Sequence, residues 1–137
     1  MILTTYNLNR LADNINQANK DKGFYDGYDP SDDRQIIEKL FLITSEVAEA
    51  GEAIRDSIRV DDADSTARTI LRTCRNNDTI FKDEFKTHVK DTFEDEVADI
   101  LIRTLDLAGW LGIDIEAHVE AKLKYNATRP NKHGRNF

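Results

Sequence analysis

Two pairs of carboxylates stand where helix amphipathicity alone would not put them: Glu46 with Glu49, and Glu96 with Asp99. A separation of three places both members of a pair on one flank of a helix. The first pair follows the apolar run Leu40-Phe-Leu-Ile43. The second shares a narrow stripe with Arg103 and Asp106, while Val97, Ile100, Leu101, Ile102, Leu105 and Leu107 take most of the circumference. A helix apolar on most sides is buried on most sides, and a carboxylate there must face a partner helix, a subunit interface or a wet cleft. Antiparallel packing of the two segments would converge all four acids. Crowded anions repel one another and hold raised pKa values until divalent cations neutralise them, and hard oxygen ligands suit Mg²⁺, or Mn²⁺ in its place, over soft metals. A single Glu-x-x-Glu is usually a solvated helix face; two on unusually apolar helices point to a magnesium site. Arg103 and Asp106 are expected to pair with each other one turn below it.

Other chemistries fit less well. A di-iron bundle needs Glu-x-x-His, but the residues three before His88 and His118 are Phe85 and Ile115, and His133 lies beyond Pro130. Both helical histidines read as ordinary surface or edge residues. Cys74 has no identifiable His partner, and a Gly-rich phosphate loop is absent.

The elements that must carry these acids are helices. Leu8, Leu11, Ile15 and Ala18 predict a first helix from about Thr4 to Asp21, stopped by Gly23. The connector Gly23 to Pro30 holds Phe24, Tyr25 and Tyr28 without core periodicity, leaving them to cover a site. Asp29-Pro30 signals the start of a long helix to about Arg59. Between Val60 and Asp91, the pair Ile70-Leu71 and the row Phe81, Phe85, Val89 predict two short helices, with a turn at Asn76-Asn77-Asp78. The offset row Lys82, Lys86, Lys90 reads as a solvated edge. Asp91-Thr-Phe-Glu94 has the form of a cap with an acid three positions later, opening a helix through Leu111 that Gly112 ends. Asp114 starts a last helix to about Asn126, which Arg129-Pro130 cannot continue. No strand-like alternation occurs, so the fold class is all-α, with four main helices.

At 137 residues, with 39% hydrophobic and 33% charged composition and only six Gly and two Pro, the chain suits one helical domain, 1–137. A single cysteine and an N-terminus without a basic start or apolar run lead to the expectation of a soluble, reducing, cytoplasmic setting, with no membrane partner. The net charge of −7 is unevenly spread. Residues 121–137 contain no acid but carry Lys122, Lys124, Arg129, Lys132 and Arg135, leaving 26 acids against 14 bases in the rest. An acidic body repels duplex nucleic acid. A polyphosphate held on metal ions would use both signs, whereas a solvated body with a basic end would use neither.

Glu46-Val-Ala-Glu49, Glu96-Val-Ala-Asp99-Ile and the ending Lys122-Leu-Lys-Tyr-Asn126-Ala-Thr-Arg129-Pro130-Asn-Lys132-His-Gly-Arg-Asn-Phe together resemble the MazG-like nucleoside triphosphate pyrophosphohydrolases, of the all-α NTP pyrophosphatase superfamily. The resemblance covers roughly Gly23 to Arg59 and Asp91 to Phe137. The 46 residues between Glu49 and Glu96 exceed the usual gap, which marks 60–91 as an insertion. The resemblance implies a four-helix-bundle-like fold, assembly as a homodimer or homotetramer, and Mg²⁺-dependent hydrolysis of a (d)NTP or non-standard nucleotide to the monophosphate and pyrophosphate. Glu46, Glu49, Glu96 and Asp99 would hold the metal, with Glu49 the expected general base and Glu46 the rival for that role. Lys122, Asn126, Arg129 and Lys132 match the family's phosphate-binding tail, 127–137 being its basic end. Phe24 and Tyr25 are candidates to stack on the base, and Trp110 to stack or to pack. Two further readings compete: a catalytically silent helical protein that binds nucleotide or metal for regulation, and a structural oligomer in which the acids pair with Arg103 and its neighbours.

Overall fold

The computed structural model describes residues 7–61, 63–73 and 78–130, and all regular structure among them is helical. Six helices follow in order: α1 Leu8–Asp21, α2 Asp33–Arg55, α3 Ser65–Thr73, α4 Asp78–His88, α5 Phe93–Trp110 and α6 Ile115–Ala127. None is long and apolar enough to cross a membrane. Two compact units form, Met1–Gln35 with Thr104–Phe137, and Ile36–Arg103.

In the first unit, Asn7 caps α1 by accepting from the Arg10 amide at 3.0 Å, and Gly23 ends it at φ 81°. The C-terminal turns of α5 lie against α1 so closely that a Cβ on Gly109 would fall 2.5 Å from the Ala12 carbonyl oxygen. Glycine is required there for packing. Asp114 caps α6 through the Ala117 amide at 3.1 Å and accepts from Asn9 Nδ2 at 2.8 Å, while Asn9 Oδ1 accepts from the Glu116 amide. The hydrogen bond from Asn9, then that from Ala117, holds the Asp114 carboxyl below its ordinary range.

Two aromatics of the connector, Tyr25 and Tyr28, close this unit's core. Tyr25 lies 5.3 Å from Trp110 and 5.7 Å from Tyr28, centroid to centroid, and Tyr28 lies edge-on to Trp110 at 5.9 Å. Asp106 is buried beneath them, accepting from Tyr25 Oη at 2.7 Å and Asn16 Nδ2 at 2.9 Å. Burial, and then Asp106, push the Tyr25 hydroxyl well above its ordinary pKa, so it remains a donor.

The second unit holds most of α2, then α3, α4 and the first turns of α5. The long helix is shorter at both ends than its sequence suggests. Asp29 spends its side chain on Ser31, accepting from the amide at 2.8 Å and from Oγ at 2.7 Å, so Asp32 caps the helix instead through the Arg34 amide. At the other end Ser57 takes φ 58° and the Ile58 amide returns to the Ala53 carbonyl at 2.8 Å, closing α2 before Arg59. The segment 60–91 forms the two short helices expected, although α4 begins at Asp78, inside the expected turn; Cys74, Asn76 and Asn77 lie outside the described residues.

His88 is more than an edge residue. Its Nδ1 lies 2.7 Å from Asp64 Oδ2 and its Nε2 3.3 Å from Glu84, and Asp64 also caps α3 through the Thr66 amide. The His88 contact, then the amide of Thr66, holds the Asp64 carboxyl below its ordinary range. The unit's core joins Ile70 and Val89 to the small side chains Ala50, Ala53 and Ala67 and to Thr92, while Phe41 is 69% and Leu101 54% exposed.

Candidate metal centre

The acids of the second unit come from two helices whose ends are fixed by local chemistry. The start of α5 is capped by Thr92, whose Oγ accepts from the Asp95 amide at 3.3 Å, while Asp95 Oδ2 accepts from the Asp91 amide at 3.0 Å. The cap therefore sits one residue later than Asp91, because Asp91 itself adopts φ 63°. This registers Glu96 and Asp99 on the flank that meets α2.

There, one carboxylate oxygen each from Glu46, Glu96 and Asp99 lie within 4.8 Å of one another. Glu46 and Glu96 are each only 5% exposed, and Asp99 is half-buried. A second group with the same spacing consists of Asp91, Asp95 and again Glu96, so Glu96 belongs to both. Neither Asp91 nor Asp95 was expected at the site, although Asp91, Asp95 and Asp99 recur every four residues, a helical signal visible in the sequence.

Glu49 stands apart from the tight group. It is exposed and lines a small cavity of about 180 Å³ together with Glu52, Asp56, Asp91 and Glu96. Three of the four expected acids thus converge, with the fourth at their edge.

Electrostatics mark the group as short of positive charge. Burial first, then Glu49, Asp99 and Glu46, raise the Glu96 carboxyl above its ordinary range. Asp99 is raised by burial first, then by Asp95 and Glu46, and Arg103 offsets part of this. Arg103 Nε hydrogen-bonds Glu46 Oε1 directly. The expected Arg103–Asp106 pair is therefore replaced by two separate arrangements: Arg103 reaches across to α2, and Asp106 serves Asn16 and Tyr25 in the other unit.

These crowded carboxylates, with Glu96 and Asp99 raised, are hard oxygen ligands that could hold a metal ion.

The remaining expected residues, Lys132 apart, lie in the first unit. Phe24 is 61% exposed, whereas Tyr25 is 8% exposed with its ring against Trp110 and Tyr28, so Tyr25 is a core residue rather than a stacking platform, and Trp110 packs. On α6, Lys122 is exposed with Nζ 5.1 Å from the Tyr125 ring centre, Asn126 is half-buried, and Arg129 follows the helix end, exposed. Lys132 lies outside the described residues. No family model, curated protein or solved structure matches the chain.

Proposed function

We propose that the protein is a Mg²⁺-dependent nucleoside triphosphate pyrophosphohydrolase of the MazG-like kind, cutting a (d)NTP or non-standard nucleotide to monophosphate and pyrophosphate. The observation that carries this reading is the convergence of Glu46, Glu96 and Asp99, two of them buried, with one arginine against several acids. In it, Glu46, Glu96 and Asp99 hold the metal, with Asp91 and Asp95 extending the set around the shared Glu96. A bound divalent ion supplies charge neutralisation for the phosphates and a more acidic water. Glu49, near the group but outside it, accepts the water's proton; its position at the edge favours it over Glu46, which Arg103 engages.

The exposed apolar faces of α2 and α5, with Phe41, Val47, Val97 and Leu101, support assembly as a homodimer or homotetramer that completes a four-helix-bundle-like core. The Glu46–Arg103 contact favours a second reading, a structural oligomer in which the acids pair with Arg103 and its neighbours and no nucleotide is hydrolysed. Incubation with a panel of (d)NTPs and Mg²⁺, resolving the products, separates the two. Monophosphate plus pyrophosphate is expected; diphosphate plus orthophosphate, or intact triphosphate throughout, refutes the pyrophosphohydrolase.

A further inference from the structure

Metal and phosphate would occupy the acids, but nothing at Glu46, Glu96 and Asp99 would recognise the rest of a nucleotide, and the expected Tyr25 is spent on the core of the other unit. Beside the acids the second unit contains a cavity of about 470 Å³. Its apolar wall comes from Leu71 of α3, Phe85 of α4, Val89 just after it, and Ala98 and Ile102 of α5. Asp95 and Asp99 belong both to this wall and to the acid groups, so a ligand anchored there by its phosphates has the cavity immediately next to it. Small-molecule sites commonly enclose about 300–1,000 Å³.

We propose that this cavity, built from Val60, Leu71, Phe85 and Val89 against α5, receives the base of the nucleotide whose phosphates sit at Glu46, Glu96 and Asp99; this rests on the metal-dependent reading above. Its chemistry follows from the wall. Glu94 accepts from the Val60 amide at 2.9 Å, Asp95 accepts from the Asp91 amide, and Lys90 Nζ donates to Asp91. Each of these polar groups already has a protein partner and the greater part of the wall is apolar, so recognition comes chiefly from the Phe85 ring and the aliphatic wall. Such a pocket discriminates weakly among base edges and favours an apolar substituent, one methyl group being worth about tenfold. Thymine is therefore preferred to uracil.

Calorimetry with Mg²⁺ and either the α,β-methylene analogue of thymidine triphosphate or inorganic tripolyphosphate tests this on the full chain. The expected result is wild-type protein binding the nucleotide at least tenfold tighter than tripolyphosphate. Ala98→Leu, which fills the cavity from an exposed helical position, abolishes that difference without weakening tripolyphosphate, and Ile102→Ala narrows it. Wild-type binding of both ligands with equal affinity overturns the base pocket and leaves the metal–phosphate reading standing. Binding of neither refutes that reading and the pocket with it. Equal weakening of both ligands by Ala98→Leu, or a changed oligomeric state in either variant with nucleotide affinity retained, also overturns the pocket. The latter assigns the cavity to a second copy of the chain.

Discussion

Replacing Glu96 by Gln keeps the shape of the side chain and removes the charge shared by both acid groups. The carboxylate oxygens of Glu46, Glu96 and Asp99 lie within 4.8 Å; at an effective dielectric near 20, two unit charges at that separation repel by about 3.5 kcal/mol. Arg103 cancels much of the Glu46 share, and protonation caps the rest, so a net gain of about 1–2 kcal/mol is expected for Glu96→Gln in EDTA at neutral pH. For a chain of this size that is about 3–10 °C in Tm. The pH dependence has a definite sign. Because Glu96 is raised in the folded state, the unfolded chain loses that proton first, and stability falls as pH rises from the unfolded value through the folded one. The advantage of the variant therefore disappears in acid, where wild-type Glu96 carries its proton. In Mg²⁺ the order reverses: an ion present at a hundred times its Kd stabilises the wild type by about 2.7 kcal/mol, and the variant by less. Thermal melts of both proteins in EDTA and in Mg²⁺, at neutral and acid pH, read all of this. A variant that melts below wild type in EDTA and responds identically to Mg²⁺ would refute the view that Glu96 is an uncompensated ligand.

Glu49→Gln is expected to leave the Mg²⁺ shift in Tm intact while lowering kcat by about 10²-fold or more, since a general base is lost and not a ligand; steady-state kinetics beside melts distinguish the two. Tyr25→Phe removes a donor from buried Asp106 and should cost about 1–3 kcal/mol in denaturant unfolding. Asp64→Asn should reduce hydrogen-exchange protection at the Thr66 and Ala67 amides at neutral pH. Asp64 is lowered in the folded state, so its contribution is present above the unfolded value and is lost as pH falls through the folded one; the two proteins should converge there.

Helices such as α1 and α4 were legible because their evidence is repetitive, a periodic apolar stripe surviving small errors, whereas α6 was legible only from its start and stop residues. Their ends were less so, because one side chain decides between competing amides. Asp29 turned to Ser31 instead of capping α2, and Thr92 capped α5 in place of Asp91. At the site, Glu46, Glu96 and Asp99 could be selected because an acid on an apolar helix contradicts its surroundings. Asp95 escaped notice inside the run Glu94-Asp95-Glu96, where it looks like ordinary N-terminal charge. Pairings across the fold were beyond the pattern altogether. Arg103 and Asp106 are three apart, a spacing that suits a pair, yet the arginine reaches α2, and the tyrosine expected to be available for a ligand fills a core.

Arg103 offsets only part of the negative charge on the acids. It hydrogen-bonds Glu46 and offsets part of the rise at Asp99, so a single guanidinium serves two carboxylates while Glu96 is left with burial and four repelling neighbours. A purely structural cluster would be expected to match each buried charge, because an unmatched one costs more than an apolar replacement. Both Glu96 and Asp99 are raised, and Glu96 is the one common to both acid groups, where a divalent cation would touch the most ligands at once. Three of the carboxylates that crowd Glu96, namely Glu46, Asp95 and Asp99, also share its ligand groups, so its raised pKa and the ligand geometry express one arrangement.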